Sequence, residues 1–290
     1  MSGTVFLNRR LVAAARARVS VFDRGLLYGD GLFETLRAYR GSVFALDAHL
    51  ERLHASAAFL RIPVPALDWG RAIASLLRRN RLLVGDASVR VTLTRGRARP
   101  NLLPPPHCRP TVLITAAAID PQITRAQRRG VKVVLLPFAR EDTLGGHKLL
   151  NYVPAILGRL MAKPQHAFEG LYVDRRHRLS EGTTSNLFLC RGTQLVTPRL
   201  RFGVLPGITR RLVIESARSA HLSTRERSLR VADLLSADEA FCTSSLIEIV
   251  PIVRVGGTRV GNGTPGPVTR RLQRLYREMV DVSQDRGRAL

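Results

Sequence analysis

Only three of the 46 basic residues are lysine, Lys132, Lys148 and Lys163; the others are arginine. A guanidinium stays protonated in a protein, whereas an ammonium can give up its proton and act as a nucleophile or base. A chain that writes its solvated charge as arginine keeps lysine where a primary amine is needed. That expectation centres on Lys148, in the stretch HKLLNY.

Around this lysine the chain carries segments of the type that hold an anion. LPGITR puts Gly207, Ile208 and Thr209 at a predicted helix N-terminus, where backbone N–H groups and the helix dipole favour phosphate. CTSSLIE places Thr243, Ser244 and Ser245 in a loop after a strand, with hydroxyls and further N–H donors. Upstream, HLERL supplies Arg52, a planar fork suited to bidentate phosphate contact. LSEGTTSNLF adds Glu181, a carboxylate just after a strand and in front of glycine and small hydroxyl residues. Taken singly, these are also what a capped helix, a serine-rich turn or a solvated arginine looks like. Together they match the needs of pyridoxal 5′-phosphate: an amine to condense with its aldehyde, donors for its phosphate, and an acid to keep its pyridine nitrogen protonated.

These groups need a scaffold, and the pattern supplies one. TVFLNRRLV and LFETLRAYRGSVFAL predict hairpins turning at Asn8-Arg9 and Arg40-Gly41. Asp47 is expected to cap a helix carrying Leu50, Leu53, Ala57 and Leu60 on one face, and a second helix is expected over about 67–80. Two strands, ASVRVTLTRG and PTVLITAAAI, flank the proline-rich loop RARPNLLPPPHCR. In the second half come a strand VKVVLLPF and an amphipathic helix KLLNYVPAILGRLMAK with Lys148 at its front. Strands FEGLYVD and SNLFLC, a helix ITRRLVIESARSA, the strands of EAFCTSSLIEIVPIVRV and a last helix over about 268–280 follow. The expected division is a small N-terminal α/β domain over 1–118, a linker over 119–130 and a larger C-terminal cofactor-binding domain over 131–290. Two α/β domains of unequal topology (α+β multidomain) fit this order better than one doubly wound sheet.

Composition narrows the function classes. The formal charge of +24 attracts polyanions, so a basic nucleic-acid-binding protein is a rival reading. Yet the arginines form no block, no aromatic-interleaved stripe and no recognisable nucleic-acid-binding signature. No apolar run approaches a membrane span, and the chain reads as cytoplasmic. Cys108, Cys190 and Cys242 are odd in number and lack ligand spacing, which argues against a disulfide framework and a metal site.

Six segments in order, FDRGLLYGDGLFETLRAYRG, HLERL, HKLLNY, LSEGTTSNLF, GVLPGITR and TSSLIEIVPI, resemble the class IV aminotransferases. These fold-type IV pyridoxal-phosphate enzymes include branched-chain aminotransferase, D-amino acid aminotransferase and aminodeoxychorismate lyase. The resemblance implies a larger C-terminal pseudo-barrel domain and a homodimer with each cofactor site near the subunit interface. It implies Lys148 as the lysine joined to the cofactor and Glu181 at the pyridine nitrogen. Arg52, Ile208, Thr209, Ser244 and Ser245 would hold the phosphate, and Tyr152 would bond the ring hydroxyl.

Alternation puts Phe33, Thr35 and Arg37 on one face of a strand, and the resemblance places that face in the substrate pocket. Arg37 could bind a carboxylate. The loop TRGRARPN adds Arg95, Arg97 and Arg99; in the D-amino acid and lyase branches a basic loop in this region helps recognise carboxylates, partly from the neighbouring subunit. The activity expected is ping-pong transfer of an amino group between a small or branched amino acid and a 2-keto acid. The alternative, suggested by Thr35 in FETLR, is aminodeoxychorismate lysis to 4-aminobenzoate and pyruvate. Stereochemical preference stays open.

Overall fold

The structure, a computed structural model, describes residues 3–139, 142–201 and 203–288. The chain forms two compact units. The first runs to Ile119, takes in His147–Asn151 and includes the C-terminal segment from Ser283; the second comprises Asp120–Gly146 and Tyr152–Val282.

In the first unit the elements are β1 (Thr4–Leu7), β2 (Arg10–Ala13), α1 (Arg24–Tyr28), β3 (Gly31–Tyr39), β4 (Ser42–Val43), α2 (Leu46–Leu60), α3 (Trp69–Arg79), β5 (Asp86–Thr94) and β6 (Thr111–Ala118). Their six strands form one sheet in the order β2-β1-β6-β5-β3-β4. β3 and β5 form a long antiparallel pair, from Gly31 opposite Thr94 to Tyr39 opposite Asp86, with successive side chains on opposite faces. Leu32, Leu36, Val89, Val91 and Leu93 then pack on Leu53 and Ala57 of α2 and on Ile73, Leu76 and Leu77 of α3. Each such leucine contributes about 1.5–3 kcal/mol on burial. The other sheet face carries Phe33, Thr35 and Arg37 beside Thr92, Arg90 and Ser88.

The predicted hairpin turns form, with Asn8 and Arg40 in the left-handed region. Asp47 is not the cap of α2. The chain leaving β4 reverses at Ala45, φ 52°, so the helix begins at Leu46 and Asp47 lies in its first turn, where the dipole still favours a carboxylate.

Lys148 is not helical either. Its carbonyl accepts from Phe33 N at 2.9 Å, Leu149 bridges Leu32, and Leu150 N donates to the Gly31 carbonyl at 3.1 Å. Backbone groups engaged with a strand cannot close helical bonds, so the helix waits until Val153. Pro154, which lacks an N–H, sits in its first turn. Gly31 is needed for this contact: a Cβ there would stand 2.6 Å from the Leu93 carbonyl oxygen and 2.7 Å from Leu150 Cδ1.

The second unit contains α4 (Gln122–Arg129), β7 (Val131–Leu136), α5 (Asp142–Gly145), α6 (Val153–Ala162), β8 (Glu169–Val173), β9 (Arg178–Gly182), β10 (Asn186–Arg191), β11 (Gln194–Pro198), α7 (Ile208–Ser219), β12 (Ser223–Arg227), β13 (Leu229–Arg230), α8 (Val231–Leu235), β14 (Glu239–Ser244), β15 (Glu248–Val255) and β16 (Thr258–Arg259). A last helix, α9 (Pro267–Arg288), runs a further two turns beyond the expected span. The ten strands form a mixed sheet in the order β12-β11-β10-β14-β15-β7-β8-β9-β13, with β16 on β15. Its core gathers Leu171, Leu187, Leu189, Cys242, Val250 and Ile252. Burial pushes the thiols of Cys190 and Cys242 well up, which keeps both inert.

Candidate active site

In the first unit the candidate groups gather around β3. Phe33, 2% exposed, has Lys148 Nζ 4.7 Å from its ring centroid and the Arg90 guanidinium carbon 3.6 Å from it. The ring's negative face attracts both cations. Lys148 is half-buried, while Lys132 donates to the Gln165 carbonyl and Lys163 is exposed.

On the opposite face of β3, Glu34 holds α2 in place. Arg52 donates from Nε to Oε1 at 2.8 Å and from Nη2 to Oε2 at 2.7 Å, and His49 Nδ1 lies 2.7 Å from Oε2. His49 and Arg52 are three residues apart, hence on one helix face. Burial works against the charge on Glu34, but Arg52 and then His49 outweigh it and bring its carboxyl to about 2. Burial also keeps His49 below its ordinary value, against the opposing pull of Glu34, and its Nδ1 faces that carboxylate. The next turns of α2 hold the residue before the lysine: His147 bonds Ser56 Oγ through Nδ1 at 3.1 Å and stacks on Phe59 at 4.0 Å.

Farther along the strand, Thr35 is half-buried and Arg37 is buried, giving Nη2 to Asp86 at 2.7 Å. In the loop after β5, Arg97 and Arg99 are exposed, whereas Arg95 is buried and holds Asp30 with Arg24 and the carbonyls of Leu60 and Arg61. Arg24 also donates to the carbonyls of Asn101 and Leu102, which ties down the middle of the loop. Gly96, φ 90°, permits this path; a Cβ would collide with the Arg109 carbonyl oxygen at 1.9 Å.

The second unit gathers the other candidates at one end of its sheet. Glu181, 3% exposed and next to last in β9, has Oε2 accepting from Asn186 Nδ2 and from Leu205 N, both at 2.9 Å. Asn186 Nδ2 also reaches the Leu205 carbonyl at 3.0 Å. Two residues on, Gly207 caps α7 without a side-chain bond, and a Cβ on it would stand 2.0 Å from Asn186 Oδ1. The first turn of α7, with buried Ile208 and Thr209, presents N–H groups that have no partner within the helix. Arg210 turns away to the Pro198 carbonyl and Glu226.

Asn186 pairs across strands with Thr243, which puts Ser244 and Ser245 at the same sheet end. Thr243 is fully buried and its hydroxyl has no hydrogen-bond partner among the described residues. This orphaned hydroxyl, the serine loop and the helix N-terminus are a donor set that fits a phosphate, and Glu181 fits a protonated ring nitrogen. Tyr152 precedes α6 and lines a groove of about 590 Å³ with apolar Ala155, Ile156 and Leu160, with Thr184, and with basic Arg159 and Lys163.

Several residues escaped the sequence reading: Glu34 and His49 behind Arg52, Arg90 beside Phe33, and Asn186 behind Glu181. For Arg90 the alternation of ASVRVTLT carried the signal, because it sets that residue on the face shared with Thr35.

Comparison with known proteins identifies the family. The family profile described as amino-transferase class IV matches residues 31–255. An aminodeoxychorismate lyase of Bacillus subtilis is 31% identical over 98% of both chains. A D-alanine aminotransferase of Listeria innocua is 32% identical over 95% of this chain and 96% of its own. Among solved structures, the Escherichia coli branched-chain amino acid aminotransferase superposes with a TM-score of 0.88 at 30% identity, covering 94% of this chain and 93% of its own. A branched-chain aminotransferase of the thermophilic archaeon Thermoproteus uzoniensis, solved with norvaline, gives 0.86 at 29% identity, over 96% and 94%. The fold is thus that of the fold-type IV enzymes, two α/β units of unequal topology, and the chain belongs to the class IV aminotransferase family of pyridoxal-phosphate-dependent enzymes.

Proposed function

We propose that the chain is an aminotransferase that binds pyridoxal 5′-phosphate and moves an amino group between a small or branched amino acid and a 2-keto acid by a ping-pong mechanism. The observation that carries this reading is the setting of Lys148: of the three lysines, it has its backbone paired to β3 and its amine beside an aromatic ring. The bound cofactor supplies an electron sink for charge developing at the substrate's α-carbon. Lys148 would hold it through its ε-amine, and that amine, when free, would move a proton at the substrate's α-carbon. Glu181, oriented by Asn186 and the Leu205 N–H, holds the ring nitrogen protonated. Ile208, Thr209, Ser244, Ser245 and Arg52 hold the phosphate, and Tyr152 holds the ring hydroxyl. Phe33 and Thr35 bound the substrate side chain, and Arg37, Arg97 and Arg99 serve carboxylate recognition.

The working form in this reading is a homodimer in the cytoplasm. Exposed Val21, Phe22, Leu26, Leu102 and Leu103 in the first unit support it, as do Val153, Ile156 and Leu160 on α6. A second reading, aminodeoxychorismate lysis, is favoured by one observation: Thr35 lies half-buried next to Phe33 on the same strand face, where its hydroxyl could assist elimination of pyruvate.

A half-reaction screen tests both. The cofactor-loaded enzyme is mixed with single L- and D-amino acids, and separately with aminodeoxychorismate, while cofactor absorbance and released products are followed. An aminotransferase bleaches stoichiometrically with at least one small or branched amino acid, releases its keto acid, and recovers on adding 2-oxoglutarate or pyruvate. Rapid 4-aminobenzoate formation without any amino-acid half-reaction would replace this reading with the lyase.

A further inference from the structure

Glu169, the first residue of β8, is a carboxylate with no exposed surface. Its Oε1 accepts from Gly170 N at 3.0 Å, from Thr183 N at 3.2 Å and from the Thr183 hydroxyl. Its Oε2 accepts from Thr184 N at 3.3 Å, the Thr184 hydroxyl at 3.1 Å and Ser185 Oγ at 3.0 Å. The nearest cationic group is Arg159 Nη1, 3.8 Å away on a half-exposed side chain. Burying a carboxylate mainly against neutral donors is expensive unless each lone pair is used. Six donors converging on one side chain call for a group that only accepts; a glutamine would turn N–H bonds toward other donors.

What Glu169 holds is the turn between Glu181 and Asn186. Gly182 N donates to the Ser185 carbonyl at 2.7 Å, and Thr183 N also reaches the Gly170 carbonyl at 3.0 Å. The turn is seated on the carboxylate so closely that a Cβ on Gly182 would lie 2.5 Å from Ser185 Oγ and 2.9 Å from Glu169 Cγ. The residue that leaves the turn, Asn186, then bridges Glu181 Oε2 to the segment before α7.

We propose that Glu169 is a positioning residue: by locking the Thr183–Ser185 turn it sets Asn186, and through Asn186 the orientation of the Glu181 carboxylate. The inference rests on the reading of Glu181 as the ring-nitrogen partner. Glu169 touches no reacting group itself, and its effect on turnover passes through Glu181.

The test is a double-mutant cycle of Glu169→Gln and Glu181→Gln, read in the amino-acid half-reaction, together with hydrogen exchange at the Thr183, Thr184 and Leu205 amides in the cofactor-free protein. The expected result is faster exchange at all three amides in Glu169→Gln. Its half-reaction should be about tenfold slower, as is common when a supporting hydrogen-bond shell is cut, and the loss should nearly vanish in the Glu181→Gln background. Equal losses in both backgrounds, or unchanged exchange at Leu205, would overturn the proposal, because a merely structural role costs the same whether or not Glu181 is present. If Glu181→Gln itself runs at the wild-type rate, the reading of Glu181 falls and this inference with it. A slow Glu181→Gln beside a fast Glu169→Gln removes the inference alone. Should Glu169→Gln fail to fold, Thr184→Val, which removes one donor, takes its place in the cycle with the same two outcomes.

Discussion

The Arg90 guanidinium lies 3.6 Å from the centroid of the Phe33 ring, the same ring that Lys148 Nζ approaches to 4.7 Å. Arg90 is exposed and stands opposite Thr35 in the β3–β5 register, so an arginine outside the loop of Arg97 and Arg99 flanks the face assigned to substrate. Replacing Arg90 by glutamine should therefore raise the KM for 2-oxoglutarate, which carries a second carboxylate, by about tenfold, and that for pyruvate much less. Steady-state kinetics with the two acceptors checks this, and equal effects would remove Arg90 from acceptor recognition.

Glu34 should matter for both stability and cofactor affinity. Glu34→Gln leaves the Arg52 guanidinium without its carboxylate in a buried setting, a change that costs about 3–5 kcal/mol. Urea unfolding measures that loss, and titration of the cofactor-free protein with pyridoxal phosphate should show weaker binding, because Arg52 is no longer aimed. Unaltered affinity would take Arg52 out of the phosphate site.

Acid should weaken the first unit in two steps. His49 is neutral in the folded protein below its ordinary value of 6.5, and Glu34 is charged down to about 2 against an ordinary 4.5. In both windows the unfolded chain binds more protons than the folded one, so stability rises with pH. The His49 part is complete above 6.5 and fades as pH falls below it; the Glu34 part fades as pH falls from 4.5 toward 2. His49→Gln should flatten the stability profile as pH falls below 6.5 and leave the lower step in place.

The candidate groups proposed for the site are legible in the sequence because their signals are local. A rare lysine, a glycine before a helix, serines after a strand and a carboxylate before small residues declare themselves within a few positions. The groups behind them are not, because they depend on partners distant in sequence: Glu34 meets His49 and Arg52 across 15 and 18 residues, and Arg90 reaches Phe33 through the β3–β5 register. Apolar periodicity running through KLLNYVPAILGRLMAK predicts a helix that starts at Lys148. Pro154 was the local sign that the helix starts later, and the pairing of His147–Asn151 with β3 is a tertiary contact that periodicity does not carry.

Gly207 offers a narrower check on the second unit. A methyl group there would press on Asn186 Oδ1 at 2.0 Å, so Gly207→Ala must displace Asn186 or the start of α7. Cofactor binding should weaken by at least about tenfold, more than the accompanying fall in the thermal transition accounts for, since the clash falls at a half-buried cap against buried Asn186. Differential scanning calorimetry and cofactor titration separate the two effects, and full affinity would show that the α7 N-terminus does not hold the phosphate.

Lys148 as the residue that carries the cofactor is the assignment on which every other role depends. Borohydride reduction of the cofactor-loaded protein fixes the linkage as a stable secondary amine, and peptide mass spectrometry locates it among Lys132, Lys148 and Lys163. The predicted result is one pyridoxyl group per chain on Lys148, with Lys148→Ala unlabelled and inactive in the half-reaction. Label on Lys132 or Lys163, or turnover by Lys148→Ala at the wild-type rate, would contradict it.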